Sequence, residues 1–129
     1  IDESKIILYG ESLGTAVAIE LAQNMNYKAV ILEAPFTSVS DIAQKMYRIY
    51  PVKYLIWDKF DNFAKINNLI SPVMFLHGKK DEIVPFNMGV KLYEKYHNKK
   101  DKVFIDEAMH NNLYDYGIAN KVIEFINKL

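Results

Sequence analysis

Residues 5–22, KIILYGESLGTAVAIELA, constrain the fold more than any other part of the chain. A continuous apolar run reaches Tyr9, Ser12 stands between Gly10 and Gly14, and Ala, Val, Ile and Leu then recur at helical spacing. A short unbroken apolar run fits a strand buried on both faces, and the period that follows it belongs to a helix. The chain must therefore pass from strand to helix within a very few residues. Glycines at positions 10 and 14 remove side chains that would collide with strand or helix, and small Thr15 and Ala16 keep the next turn close to the sheet. Such a turn projects the Ser12 hydroxyl above the sheet edge at a helix N-terminus, where the dipole favours developing negative charge. The five residues Gly10-Glu11-Ser12-Leu13-Gly14 fit G-x-S-x-G, and a strand before with a helix after is the setting in which that pattern presents a nucleophile.

The same alternation continues downstream. The helix after the motif is expected from Thr15 to about residue 24, with Asn24 and Asn26 as stop signals. Residues 29–32 (AVIL) read as a second buried strand, and residues 73–76 (VMFL), opened by Pro72, as a third that runs into the turn HGKKD. Residues 86–97 fit a helix with Val90, Leu92, Tyr93 and Tyr96 on its apolar side. Residues 103–105 form a fourth strand, and residues 113–128 a last helix with Ile118, Val122, Phe125 and Ile126 facing inward. Short apolar strands alternating with helices predict an α/β fold in three layers, a mostly parallel sheet of about four strands flanked by helices. Residues 36–71 interrupt the pattern. Val39, Ile42, Met46 and Ile49 keep helical spacing up to Pro51, and Tyr50, Tyr54, Trp57, Phe60 and Phe63 follow. This segment is either a helix and connection packed on the sheet or a lid or pocket wall over a site.

Composition removes several function classes. A chain of 129 residues suits one domain, which at this size buries roughly 68% of its unfolded surface. Net charge is +0 and Arg48 is the sole arginine, so bidentate phosphate clamping and base reading have little to work with and no nucleic-acid partner is expected. With Cys 0, disulfides, thiolate metal sites and a cysteine nucleophile are excluded, and no metal site is expected. Neither G-x-G-x-x-G nor a P-loop lysine is present, which weighs against a nucleotide-binding domain. No apolar run approaches the ~20 residues that span a bilayer, and no secretory signal pattern opens the chain, so a cytoplasmic location is the default expectation. The first residue is Ile1 rather than Met, so a segment is expected upstream.

A serine hydroxyl is a poor nucleophile near neutral pH, so it needs a base, and the base needs an orienter. His97 lies in a helix that ends amid Asn and Lys and reads as a solvated surface residue. His77 ends the third strand and reads as a structural hydrogen-bonder. His110, in DEAMHNN after the fourth strand, can hang over the strand ends and is the expected base. Asp81, in the turn after the third strand, can reach a histidine on the adjacent loop. Glu33, which ends the second strand at the same edge, is the alternative acid. Ser12, Asp81 and His110 each follow a strand, and a parallel sheet gathers such loops on one edge.

On these residues the chain resembles the α/β-hydrolase superfamily from its first strand to its last helix. YGESLGTAVAIELA, LEAPFTS, SPVMFLHGKKDEIVP and AMHNNL are similar to the elbow, post-elbow strand, acid loop and histidine loop of the branch of depalmitoylase-like and prolyl-oligopeptidase-like serine hydrolases. The resemblance implies Ser12 as nucleophile, Asp81 as acid, His110 as base and the Leu13 N–H as one oxyanion donor. It also implies hydrolysis of an ester, thioester or amide of a small acyl substrate through an acyl-serine intermediate, without a cofactor.

In that superfamily the elbow follows a later strand of a larger sheet, whereas here it follows the first. The expectation is thus a single partial domain over residues 1–129, the C-terminal half of the fold, without the loop that supplies the second oxyanion N–H. An uncovered hydrophobic first strand invites another strand. Pairing with a second copy or with a separate N-terminal half is expected through residues 6–9, with Ile6 and Tyr9 at its ends. The rival to a serine hydrolase is a non-catalytic remnant or assembly module of the same fold.

Overall fold

Two segments, AVILE and VMFLHG, hold apolar residues at nearly every position, and a strand of that kind needs cover on both faces. In the computed structural model, which describes residues 2–39, 42 and 61–129, they are the central strands β2 (Ala29–Glu33) and β3 (Val73–Gly78), buried along their whole length. β1 (Ile7–Glu11) and β4 (Lys100–Ile105) flank them, and the strand order is β1-β2-β3-β4 with every pairing parallel.

Helices α1 (Leu13–Ala22) and α3 (Phe86–Lys95) cover one face, and α4 (Ile118–Asn127) covers the other. A short helix, α2 (Asn62–Lys65), precedes β3. On the first face Val30, Leu32, Val73 and Phe75 pack with Ile19, Ala22, Leu92 and Tyr96. On the second, Ala29, Ile31, Met74, Leu76 and Val103 pack with Ile118, Val122 and Phe125. The alternation of β2 and β3 residues between the two clusters is the two-residue period of a strand read in three dimensions. The expected three-layer parallel sheet is therefore observed.

Boundaries differ from the sequence expectation where side chains compete for the backbone. β1 begins at Ile7 rather than residue 5 because Glu3–Lys5 form a 3-10 turn, capped by the Asp2 carboxylate accepting from Ser4 N–H. It then runs through Gly10 to Glu11, in register with Leu32 and Glu33, so the ladder continues into the motif itself. The last helix is two pieces, a 3-10 turn at Leu113–Tyr116 and α4, divided by Gly117 at φ 74°, a conformation glycine adopts without penalty. Asn24 follows α1 at φ 60°, consistent with its role as a stop signal.

Ile7, Tyr9 and Glu11 point to the α4 side of the sheet, but α4 covers only β2, β3 and β4, and Ile7 and Tyr9 remain exposed. Of the segment at 36–71, Phe36, Val39 and Ile42 are buried with Ala16 and Val84. Thr37, Ser38, Asp61 and Phe63 border a cavity with Lys91, Glu94 and Lys95 of α3. The expectations for Met46, Ile49, Tyr50, Tyr54, Trp57 and Phe60 lie outside the described residues.

Candidate active site

Ser12 occupies the residue between β1 and α1 at φ 53°, ψ −115°. An L-residue at that φ is strained by roughly 1–3 kcal/mol and persists only where its surroundings over-determine it. Three hydrogen bonds do so: Ser12 N–H donates to the Glu33 carbonyl at 2.9 Å, and the Ser12 carbonyl accepts from Thr15 N–H at 3.0 Å and from Thr15 Oγ1 at 2.5 Å. The backbone is thus fixed while the Ser12 hydroxyl is not spent on capping the helix. Gly10 makes the turn possible, since a Cβ there would lie 2.5 Å from the Gly14 carbonyl oxygen. At Gly14, by contrast, no described atom beyond its chain neighbours and the backbone of its own helix would lie within 4 Å of a Cβ. Among the described residues the expected crowding is therefore found at Gly10 and not at Gly14. Leu13 opens α1, so its N–H has no intrahelical acceptor and points toward the space in front of the helix.

The acid and the histidine meet on the loops after β3 and β4. His110 Nδ1 lies 2.8 Å from Asp81 Oδ2, and both side chains are buried. Asp81 Oδ1 accepts from Ile83 N–H at 2.9 Å and Val84 N–H at 2.8 Å. His77 Nε2 lies 3.4 Å from Oδ2 and 2.9 Å from the Val84 carbonyl oxygen. Burial pushes the Asp81 carboxyl up, but the hydrogen bonds from His110, His77, Val84 and Ile83 outweigh it and hold the group well below the usual carboxylate range. The bond to Asp81 raises His110 above its ordinary value, against burial and with help from the charges of Asp81, Glu82 and Glu11. Gly78 lets the two loops touch, since a Cβ there would lie 2.2 Å from the Ala108 carbonyl oxygen. Glu82 secures the histidine loop by accepting from His110 N–H at 3.3 Å, and Asn112 does so by accepting from Met109 N–H at 2.7 Å.

Glu33 does not bond to His110. Its Oε1 accepts from the Tyr9 hydroxyl at 2.5 Å, and the Tyr9 and Tyr114 hydroxyls are themselves 2.5 Å apart. These three residues clip the loop that carries His110 back over β1, from which Ser12 emerges. Neither tyrosine was legible as part of the site, because no local pattern pairs residues 9 and 114; the period-two placement of Tyr9 and Glu11 on one face of β1 was the available hint. His97 is exposed, as its position predicts, and His77 is fully buried and hydrogen-bonded. Among the described residues no group of three or more His, Asp or Glu is placed to hold a metal ion, and no helix is long and apolar enough to cross a membrane.

Residues 1–112 match the model of the prolyl oligopeptidase family. Alpha/beta hydrolase domain-containing protein 17B of Homo sapiens is 34% identical over 114 residues, covering 87% of this chain and 38% of that protein. This chain therefore spans about two fifths of the length of that curated relative. Among solved structures, dipeptidyl peptidase 4 of Porphyromonas gingivalis superposes with a TM-score of 0.76 at 16% identity, covering 99% of this chain and 20% of that one. The monoacylglycerol lipase of Paleococcus ferrophilus gives 0.70 at 20% identity, covering 95% and 68%. At such identities the structural likeness speaks to the fold alone.

Proposed function

The chain belongs to the prolyl oligopeptidase family, within the α/β-hydrolase superfamily, and on that premise we propose that it carries the catalytic residues of a serine hydrolase. The observation that carries the reading is the buried 2.8 Å contact between His110 Nδ1 and Asp81 Oδ2, set at the same sheet edge as Ser12 in its strained turn. With Nδ1–H donated to Asp81, the lone pair of His110 is on Nε2, the nitrogen free to act as a base.

Ser12 Oγ attacks the acyl carbon while His110 Nε2 takes its proton. Asp81, ionised throughout, stabilises the imidazolium that forms. The Leu13 N–H donates to the carbonyl oxygen as it gains charge, helped by the N-terminal end of α1. The tetrahedral species collapses as the bond to the leaving group breaks and His110 returns the proton to that group. Water, deprotonated by the same histidine, then releases the acid and regenerates Ser12. Ester, thioester or amide substrates all suit this sequence, and the aromatic side chains in the sequence 36–71 favour an apolar acyl group.

A fluorophosphonate probe, which reacts only with an activated serine, is the direct test. The protein should label in a reaction that Ser12→Ala abolishes and that quickens as pH rises through the raised value of His110. A folded protein that does not label would favour the remnant of the fold over the enzyme.

A further inference from the structure

His77 is a ring of unusual cost in this core. It is fully buried, its edge meets Phe86, and among the described residues its Nδ1 has no hydrogen-bond partner. A buried polar atom without a partner is a penalty that a residue present for packing alone would avoid. The chain also gives up a side chain to seat it, since a Cβ on Gly89 in α3 would lie 2.3 Å from His77 Nδ1.

The other nitrogen explains the arrangement. His77 Nε2 faces the Val84 carbonyl oxygen at 2.9 Å, and because a carbonyl can only accept, Nε2 bears the proton. The same N–H lies 3.4 Å from Asp81 Oδ2. Val84 in turn donates its N–H to Asp81 Oδ1 at 2.8 Å. A closed ring results: His77 holds Val84, Val84 holds one carboxylate oxygen, and His77 faces the other. We propose that His77 is a positioning residue, which fixes the rotation of the Asp81 carboxylate so that Oδ2 presents itself to His110 Nδ1. It touches no substrate and acts only through Asp81. The inference rests on the serine-hydrolase reading for its consequence in rate, though the geometry of the ring does not.

The test compares His77→Phe, which keeps a ring without the N–H, with His77→Gln, which returns an N–H at similar reach. In the full chain, the rate of fluorophosphonate labelling is followed against pH, and the His110 ring is titrated by long-range proton–nitrogen NMR. The groups that set the His110 midpoint are Asp81 and Glu82 on the loop after β3, Glu11 on β1 and Glu33 on β2, and all are retained in both variants. His77→Phe should slow labelling roughly 10- to 100-fold, the scale of a small misplacement in a catalytic site. It should also move the His110 midpoint down, and His77→Gln should return both. A His77→Phe protein that melts earlier yet keeps both the midpoint and the rate profile would reduce His77 to core packing and overturn the proposal. A wild type that never labels, but whose His110 midpoint still falls in His77→Phe, would sink the hydrolase reading and leave the positioning role standing. Should His77→Phe not fold, Asp81→Asn serves: the His77 Nε2–H resonance should shift in that variant, and an unmoved resonance overturns the proposal.

Discussion

At the Ser12 turn no described residue engages the side chain and the backbone carries the constraint; around Asp81 the side chain is engaged at both oxygens and the backbone serves it. Ser12 is held by its own N–H and carbonyl, whereas Asp81 gathers two backbone N–H groups and faces two imidazoles. Both sides rely on a glycine where a carbonyl oxygen passes too close for a Cβ: Gly14 against Gly10 within one strand–helix unit, and Ala108 against Gly78 across two loops. The difference follows from chemistry. On the proposed serine-hydrolase reading, a hydroxyl that is to form a bond has to stay free, so only its position can be built in. A buried charge, by contrast, is costly unless every lone pair is met.

Asp81→Asn should break this comparison most severely. If the new amide keeps the Ile83 and Val84 N–H groups on its oxygen, its NH₂ faces His110 Nδ1. That nitrogen must then accept, which places the proton on Nε2 and removes the base. Labelling should fall about 10⁴-fold, as expected when a triad histidine is held in the wrong tautomer. The pH dependence of stability should change too. Because the folded-state value of Asp81 is depressed, its contribution is present above about 3.9, the ordinary value, and is lost as pH falls through the folded value. Urea unfolding from neutral to acidic pH should show that loss in the wild type and a flatter acid limb in the variant. A variant that labels within a few-fold of wild type would show that Asp81 does not orient His110.

The Ser12 turn is expected to be more sensitive to backbone than to side chain, and the pair Gly10→Ala and Gly14→Ala tests that point. Alanine at 10 drives a Cβ to 2.5 Å from the Gly14 carbonyl oxygen, an overpacking that costs about 1–3 kcal/mol. Alanine at 14 meets no described atom beyond its chain neighbours and its own helix and replaces a helical glycine, so it should be neutral or gain up to about 1 kcal/mol. Thermal melts of the two variants decide it. Equal destabilisation would mean that the motif's glycines serve something other than local crowding.

The sheet was legible because β2 and β3 are apolar at almost every position, a pattern that few structures other than a doubly covered strand satisfy. The meeting of Asp81 and His110 was legible for a related reason: each follows a strand, and a parallel sheet brings strand ends to one edge whatever the loops do. What escaped was decided by contacts with no local signal. Nothing in the order of residues ties Tyr9 to Tyr114, and Glu82 looks like any turn acid until its carboxylate meets His110 N–H. Gly14 shows the opposite case, where a motif position invited a steric reason that no described residue outside its own helix and chain neighbours supplies. His77 was recognised as a hydrogen-bonder, but which group it held depended on how the loop after β3 folds back upon it.

The smallest expected effect sets two buried carboxyls against each other. Asp81 is depressed, but Glu33, on the Ser12 side, is raised: burial is the largest cause, the Tyr9 hydroxyl opposes it, and the charge of Glu11 alongside adds to it. The sign of the linkage is therefore reversed. A carboxyl raised in the folded state keeps its proton longer there than in the unfolded chain. Stability accordingly falls as pH rises from about 4.3, the ordinary glutamate value, through the folded value, and then levels off. A glutamine at this position carries no charge and retains an oxygen for Tyr9. Glu33→Gln should thus match the wild type in acid and gain on it steadily across that window, while labelling stays near wild type because His110 is bonded to Asp81 and not to Glu33. Urea unfolding at a series of pH values measures the gap. A gap that does not vary with pH would mean that Glu33 titrates as an ordinary surface acid. A large loss of labelling would instead return Glu33 to contention as the partner of the base.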